Sequence, residues 1–299
     1  MLTEIDMPHI DVPHLFLFFI LYSFLGWLCE EIYCCSLQRK FVYRGMLFGP
    51  ICPIYGFGGL IILYALYPWR TTFVRLFIAS MILTSVLEYF TSWLLEKLFH
   101  AKWWDYSKIP FNLNGRVCLL NSTLFGMGGL ALEHILHPLA EKLIFMEELD
   151  PYVNYIATAL AVVLTVDVLA TVKKLVDFSA AMEKLKSYGE QIKERYQDED
   201  WLNTHSFNNM MKSLREKVKS DSNKFSKKFL ENMESIAKRD KNAERWLRKF
   251  PSMTSAEYGE IFEHLRISVK EWGEEQKKLL EEEKKELKAK KENFLSKKK

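Results

Sequence analysis

Three glutamates lie inside or at the ends of long apolar runs, where a charged side chain is costly. Glu30 ends one run in "GWLCEEIY", Glu96 ends a later run in "SWLLEKLF", and Glu88 lies within that later run. An ionised carboxylate at membrane depth costs several kcal/mol unless it is paired, protonated or in contact with a polar cavity. These acids are therefore candidates for handling a proton or a polar substrate.

Each candidate acid also has a simpler explanation. Glu30 and Glu96 fit equally a plain solvated helix end. Glu88 fits an internal ion pair, for which Arg44 and Arg116 are the natural partners, because arginine can reach inward and bind a carboxylate through two hydrogen bonds.

Five apolar runs dominate the first part of the chain, at about 14–35, 46–67, 72–98, 117–138 and 152–172. Each is close to the roughly 20 residues that a helix needs to cross a bilayer. The sequence therefore predicts an all-α, polytopic membrane helical bundle of about five transmembrane helices over residues 1–172.

Composition separates this region from a charged tail. Residues 1–172 carry 10 Lys and Arg against 14 Asp and Glu, whereas residues 173–299 carry 31 against 24. Apolar residues at helical spacing and many i,i+4 charge pairs over 183–196, 210–237 and 260–295 predict a helical or coiled-coil cytoplasmic tail. Its basic end is suited to anionic lipid headgroups, and the interleaved acids and the membrane tether argue against nucleic acid.

Basic residues in the short loops predict the orientation. Nine of them fall on one side of the predicted spans, at Arg39, Lys40, Arg44, Lys97, Lys102, Lys108, Arg116, Lys173 and Lys174, against three on the other. Because cytoplasmic loops are enriched in Lys and Arg, we expect a protein of the bacterial cell membrane with its amino terminus outside and its tail cytoplasmic.

The sequence also predicts an internal repeat, of about 14–67 and 72–138. Trp-Leu-x-Glu recurs at Glu30 and Glu96, Gly45 aligns with Gly115, and "YGFGGL" (55–60) aligns with "FGMGGL" (125–130). We expect Glu30 and Glu96 to face each other across a pseudo-axis at interface depth. The glycines at 56, 58 and 59 and their counterparts at 126, 128 and 129 are expected to mark where spans two and four touch, and packing alone is the simpler explanation for them. Two helical hairpins would then enclose a shared site.

Pro50 and Pro53 lie three residues apart inside the second apolar run. Two missing backbone donors predict a break or kink in that helix. The segment is a candidate wall of a central pathway, and a kinked packing helix is the alternative.

The loop "HAKWWDYSKIPFNLNGR" (100–116) combines aromatic, amide and charged residues. An interfacial aromatic belt accounts for Trp103, Trp104 and Tyr106, but not for Asp105, Asn112 and Asn114. With Arg116, these residues are candidates for binding a polar headgroup or an anionic solute.

Four blocks, "YSFLGWLCEEIYCC", "RKFVYRGMLFGPICPIYGFGG", "LEYFTSWLLEKLF" and "WWDYSKIPFNLNGR", resemble the signature blocks of the bacterial ABC-transporter type IV, or CmpB-like, permeases. The resemblance covers roughly residues 14–140. It implies a permease, and because the chain shows no Walker A loop of its own, a separate ATPase or other cytoplasmic protein as partner. It carries no catalytic residues with it.

Two classes of function remain. The first is a permease-like protein that binds or moves a small polar or lipid-like solute between the two hairpins. The second is a non-transporting membrane anchor or sensor whose tail recruits partners. An enzyme ranks third, since no nucleophile-base arrangement or metal spacing is present. We expect no cofactor and no metal site, and a homodimer would enlarge the small volume that two hairpins enclose.

Overall fold

The computed structural model describes residues 10–38, 43–220, 227–231 and 241–271, with the helical positions 274, 278 and 281–282. Seven helices are labelled here: α1 (Val12–Gln38), α2 (Pro53–Ala65), α3 (Phe73–Phe99), α4 (Leu119–Ala131), α5 (His137–Ile144), α6 (Val153–Arg195) and α7 (Phe207–Ser220). Two further helices cover Lys241–Lys249 and 259–271. The short strands β1 (Asn112–Leu113) and β2 (Val117–Cys118) pair antiparallel, with Asn112 opposite Cys118.

Three helical segments are long and apolar enough to cross a membrane: Val12–Ser36, Phe73–Phe99 and Asp150–Arg195. Their apolar side chains are widely exposed; on α6, for example, Val163 and Leu169 are each 64% exposed. Exposed apolar surface of this extent is typical of a protein in contact with lipid. The predicted all-α membrane architecture is confirmed at this level.

The second apolar run folds differently from the prediction. We expected a membrane helix over 46–67 kinked by its prolines, but residues 45–50 form bends and α2 begins only at Pro53. Pro50 lies in the non-helical entry, and Pro53 occupies the first helical turn, where a missing N–H costs nothing because that donor has no partner within the helix. The helix that results has 13 residues.

The fourth apolar run continues further than predicted. Residues 119–144 are helical throughout, because a π-helical turn at Leu132–Leu136 joins α4 to α5. The sixth helix also passes the predicted end of its span at residue 172 and continues to Arg195.

Two compact units make up the chain: Met1–Asp177 with Arg248–Ser255, and Phe178–Leu247 with Ala256–Lys299. In the first unit α1 packs on α2 and α3 on α4. A buried apolar cluster joins α1, α2, α3 and α5, and its members include Phe18, Tyr22, Ile62, Leu63, Leu76 and Ala140. The assignment of 248–255 to this unit was not predicted, because these residues lie far along the charged tail.

The second unit has its own apolar core. The fully buried side chains include Phe178, Met182, Leu185, Ile192, Met210, Met211, Trp246 and Phe262. They come from α6, α7, Lys241–Lys249 and the helix at 259–271. The predicted helical segments at 183–196 and 210–237 are helical where the structure describes them, whereas most of the predicted coiled-coil stretch beyond residue 271 lies outside the described residues.

Candidate functional site: an acid and tyrosine cluster

Glycines bring the two helices of each hairpin together and fix which face of α1 and α3 points inward. A Cβ atom at Gly56 would lie 2.6 Å from the Phe19 carbonyl oxygen, and one at Gly126 would lie 3.1 Å from the Phe77 carbonyl oxygen. Both contacts favour glycine, because little room is left for a side chain. They join α2 to α1 and α4 to α3, whereas we expected these glycines to mark contact between spans two and four.

Glu30 and Glu88 occupy equivalent places relative to these contacts. Glu30 follows Phe19 by 11 residues, and Glu88 follows Phe77 by 11 residues. Eleven residues are about three helical turns, so each acid lies on the face that its helix turns toward its hairpin partner.

Glu30 lies against the start of the second helix. Its Oε2 accepts a hydrogen bond of 3.3 Å from the Tyr55 hydroxyl, and the Cys52 thiol lies 3.9 Å from the same oxygen. The predicted contact of Glu30 with Glu96 across an axis is not what the structure shows, since Glu96 pairs with Arg116 instead.

Glu88 is 5% exposed. Its Oε1 accepts a hydrogen bond of 3.2 Å from the Tyr106 hydroxyl, while its Oε2 is buried and has no hydrogen-bond partner in the part of the chain that the structure describes. The predicted ion pair of Glu88 with Arg44 or Arg116 is wrong. A tyrosine from the loop takes the position that we assigned to an arginine.

Tyr106 links the two acids. Burial raises the pKa of its phenol well above the ordinary value, and the neighbouring Glu88, Cys118 and Glu30 raise it further. A phenol in these surroundings stays protonated and donates to a carboxylate. Glu30, Tyr55, Glu88 and Tyr106 are called the acid–tyrosine cluster below.

The backbone of Arg44 is held by two side chains of α1, Glu31 and Trp27. The Arg44 N–H donates to Glu31 Oε2 at 2.8 Å, and the Trp27 indole donates to the Arg44 carbonyl oxygen at 3.1 Å. Glu31 is 5% exposed and anchors this loop, a role that sequence reasoning missed. Its only signal is its position beside Glu30.

Arg116 pairs with Glu96 rather than with an intramembrane acid. One guanidinium nitrogen lies 2.7 Å from Glu96 Oε2, and the guanidinium lies over the Tyr89 ring at 5.4 Å. Trp104 donates its indole N–H to the Arg116 carbonyl oxygen at 2.9 Å. The Trp27–Arg44 and Trp104–Arg116 contacts therefore resemble each other in the two hairpins.

Polar residues of the 100–116 loop mostly bind the loop's own backbone. Asn112 donates to the Ile109 carbonyl oxygen at 2.7 Å and accepts from the Gly115 N–H at 3.0 Å. Asn114 donates to the Tyr89 hydroxyl at 3.0 Å, and both Asn114 and Gly115 adopt positive φ, which Asn and Gly tolerate best. The amides that we predicted as binding groups thus shape a turn.

Asp105 has a similar role at the start of this loop. Burial favours its neutral form, but hydrogen bonds from the Ser107 side chain and backbone, together with nearby Lys102, outweigh burial and lower the pKa of Asp105. The carboxylate is therefore charged and already engaged near neutral pH.

Residues 248–255, called the strap below, belong to the tail sequence and contact the loops at 43–52 and 100–118. Lys249 is 6% exposed, and its ammonium donates to the carbonyl oxygens of Gly45 at 2.9 Å and Leu47 at 3.2 Å. The Arg44 guanidinium donates to the Lys249 carbonyl oxygen at 2.8 Å. These contacts hold the first loop.

The same strap holds the second loop. The Phe250 ring packs edge-on against Trp103, with ring centroids 5.0 Å apart. Lys102 and Thr254 exchange two backbone hydrogen bonds, of 2.8 and 2.9 Å. Trp103 is therefore buried in a protein contact, at 1% exposure, and does not belong to an interfacial belt.

Comparison with known proteins identifies the family. The family model described as "Putative ABC-transporter type IV" matches residues 17–172, just over half of the chain. Searches of curated proteins and of solved structures found no match. The matched segment contains all four residues of the acid–tyrosine cluster. The chain belongs to the family described as "Putative ABC-transporter type IV", a family of membrane proteins of the ABC-transporter type.

Proposed function

We propose that this protein is a permease-like membrane protein that binds or moves a small polar solute carrying positive charge at the acid–tyrosine cluster. The observation that carries the proposal is the Oε2 atom of Glu88, which is buried and has no hydrogen-bond partner among the described residues. A buried carboxylate oxygen in this state costs free energy that a bound cation or donor group would recover.

The charge of the solute follows from the make-up of the cluster. Two carboxyl groups and two phenols converge there. The charge of Arg44 acts on Glu30, but neither acid forms an ion pair within the described part of the chain, and no basic residue acts on Glu88. Phenols donate to carboxylates without neutralising them. A cation, a protonated amine or a proton is the species that complements such a site.

The hairpin geometry supports the repeat but changes its alignment. In each hairpin a glycine of the second helix touches the first helix, at Phe19 and at Phe77, and an acid follows three turns later. Gly45 and Gly115, which end the two loops, both adopt positive φ. We propose that Glu88, rather than Glu96, is the counterpart of Glu30.

We propose a topology of five spans with the tail in the cytoplasm, in which two further segments cross the membrane besides the three long apolar helices. The helical run 119–144 is long enough for a fourth span, at about 39 Å. The 13 residues of α2 reach only about 20 Å, so the non-helical entry through Pro50 would complete the second span in chain order. Such non-helical backbone is tolerated in a membrane only where protein or a polar cavity covers it.

The assembly that this proposal requires includes other components. A separate ATPase or another cytoplasmic protein, a homodimer and the lipid bilayer stay proposed partners. The broader set of candidate binding residues, Arg44, Glu96, Trp103, Trp104, Asp105, Asn112, Asn114 and Arg116, is proposed to position the cluster and its loops.

A second candidate function, a membrane anchor or sensor, is favoured by the strap. Lys249 and Thr254 connect the tail sequence directly to both hairpin loops. A signal received by the tail would therefore reach the loops that carry Arg44 and Tyr106, without any solute being moved.

Thermal unfolding of the detergent-purified protein with added ligands tests the first candidate. We expect small cations or amines to raise the midpoint of the wild type but not of Glu88→Gln or Glu30→Gln. Glu147→Gln, at an exposed loop position, is the matched control and should respond like the wild type. Equal ligand responses in all four proteins would exclude binding at the cluster and leave the anchor or sensor function.

A further inference from the structure

A long groove runs along α3, beside the start of α4 and the β1–β2 hairpin. Its volume is about 990 Å³, which is near the upper end of the roughly 300–1,000 Å³ of small-molecule sites. Apolar side chains form most of its wall, among them Ile82, Val86, Phe90, Trp93, Leu113 and Leu119.

The length of the groove matches one leaflet of a bilayer. Its wall on α3 extends from Met81 to Trp93, which is about 18 Å of helix. Half of a bilayer's hydrocarbon core is about 15 Å thick. The few polar groups along the groove are already satisfied, since Ser85 donates to Ser122 at 2.7 Å. An apolar chain, rather than a polar solute, fits this wall.

One end of the groove is basic. Lys97, one turn beyond Trp93, is exposed, and no ion pair is recorded for it in the described part of the chain. Arg116 lies over Tyr89, a residue of the groove wall, but its Nε and Nη1 atoms are buried and its guanidinium is paired with Glu96. Lys97 is therefore the cation that this end offers to a ligand. Trp93 and Tyr89 are the aromatic types that favour the level of lipid headgroups.

We propose that this groove binds one acyl chain of an anionic phospholipid, taken from the leaflet on the side of the 100–118 loop. The acyl chain lies along α3 from Trp93 toward Met81. The phosphate lies near Lys97, whose exposed ammonium complements its charge. This site is separate from the acid–tyrosine cluster and does not depend on the function proposed for that cluster.

Native mass spectrometry of the full-length protein, titrated with phosphatidylglycerol or phosphatidylcholine, tests the proposal. We expect one phosphatidylglycerol to be retained more strongly than phosphatidylcholine. Val86→Trp fills the groove and should weaken that binding about tenfold, a loss of about 1.4 kcal/mol. Val166→Trp makes the same change on the exposed face of α6, at 62% exposure against 61% for Val86, and should leave it unchanged.

The headgroup contact has its own variant. Lys97→Gln should reduce the preference for phosphatidylglycerol while leaving phosphatidylcholine binding as it was. Lipid retention that is the same in Val86→Trp and Val166→Trp would overturn the proposal. So would a dimer that Val86→Trp dissociates, because a second copy of the chain would then cover the groove.

Discussion

The Tyr106 hydroxyl donates a hydrogen bond of 3.2 Å to Glu88 Oε1, so a loop residue satisfies half of a carboxyl group that lies within α3, a helix long and apolar enough to cross a membrane. The other half, Oε2, remains unpartnered among the described residues. The loop that supplies Tyr106 is also the loop that the strap holds.

Replacing Tyr106 with Phe should destabilise the protein by about 1–3 kcal/mol, because Glu88 loses its hydrogen bond and becomes fully unsatisfied. Thermal unfolding in detergent measures the change. Tyr155→Phe, at a residue 76% exposed, is the control and should have no effect. An unchanged midpoint in Tyr106→Phe would mean that the hydrogen bond does not contribute to stability.

Gly56→Ala should cost about 1–3 kcal/mol, since the added methyl group would meet the Phe19 carbonyl oxygen at 2.6 Å and force the two helices apart. Gly58→Ala on the same helix provides the comparison. There the nearest atom lies 3.6 Å away, in Leu87, and the higher helix propensity of Ala should leave stability equal or slightly raised. Equal unfolding midpoints for the two variants would contradict the close packing of α1 on α2.

Lys249→Met keeps much of the side chain's apolar length but removes the ammonium that donates to Gly45 and Leu47. We expect a loss of about 2 kcal/mol and faster proteolysis within residues 43–52, because hydrogen bonds from a buried charged group are stronger than neutral ones. Lys186→Met removes an exposed ion pair with Glu257 instead. Such surface pairs contribute little, so this variant should be cleaved at the wild-type rate.

The second unit should lose stability in acid through His264. Burial and nearby Arg215 lower the pKa of His264 to about 4. The unfolded state binds a proton near pH 6.5, so the free energy of unfolding falls as the pH drops from about 6.5 toward 4, by about 3 kcal/mol in all.

Urea unfolding at several pH values measures this loss. After each unfolding step, hydrogen-exchange labelling at one fixed pH reports whether residues 259–271, which contain His264, have unfolded. His264→Gln keeps a donor for Asn208, which lies 2.9 Å from the imidazole, and should remove most of the slope. An equal slope in the variant would assign the acid sensitivity to other groups.

Apolar runs were sufficient to predict the three helices that are long and apolar enough to cross a membrane. Span length is a property of composition, and α1 and α3 extend within a few residues of the predicted runs. Gly56 and Gly126 do lie at close helix contacts, but against α1 and α3 rather than between spans two and four as we expected. The predicted structure at the start of α2 was wrong, because the sequence alone does not show whether a proline bends a helix or begins one.

The partners of the acids were not predictable from the sequence alone. We assigned an arginine to Glu88 by charge, but Tyr106 reaches it from a loop whose path depends on the turn at Asn114 and Gly115. Charge rules rank possible partners without knowing the distance between them. The alignment of Glu30 with Glu96 followed the Trp-Leu-x-Glu letters, whereas the helix contacts at Phe19 and Phe77 are what led us to propose Glu88 as the counterpart.

The strap also determines when the first compact unit, Met1–Asp177 with Arg248–Ser255, can finish folding during synthesis. Lys249 contacts Gly45, more than 200 residues earlier in the chain, and Thr254 pairs with Lys102. At roughly 5–20 residues per second, a ribosome needs on the order of ten seconds after the second hairpin to make these residues. The two loops therefore gain these contacts only late in translation. A chain that stops before residue 249 would lack the strap's contacts to both loops.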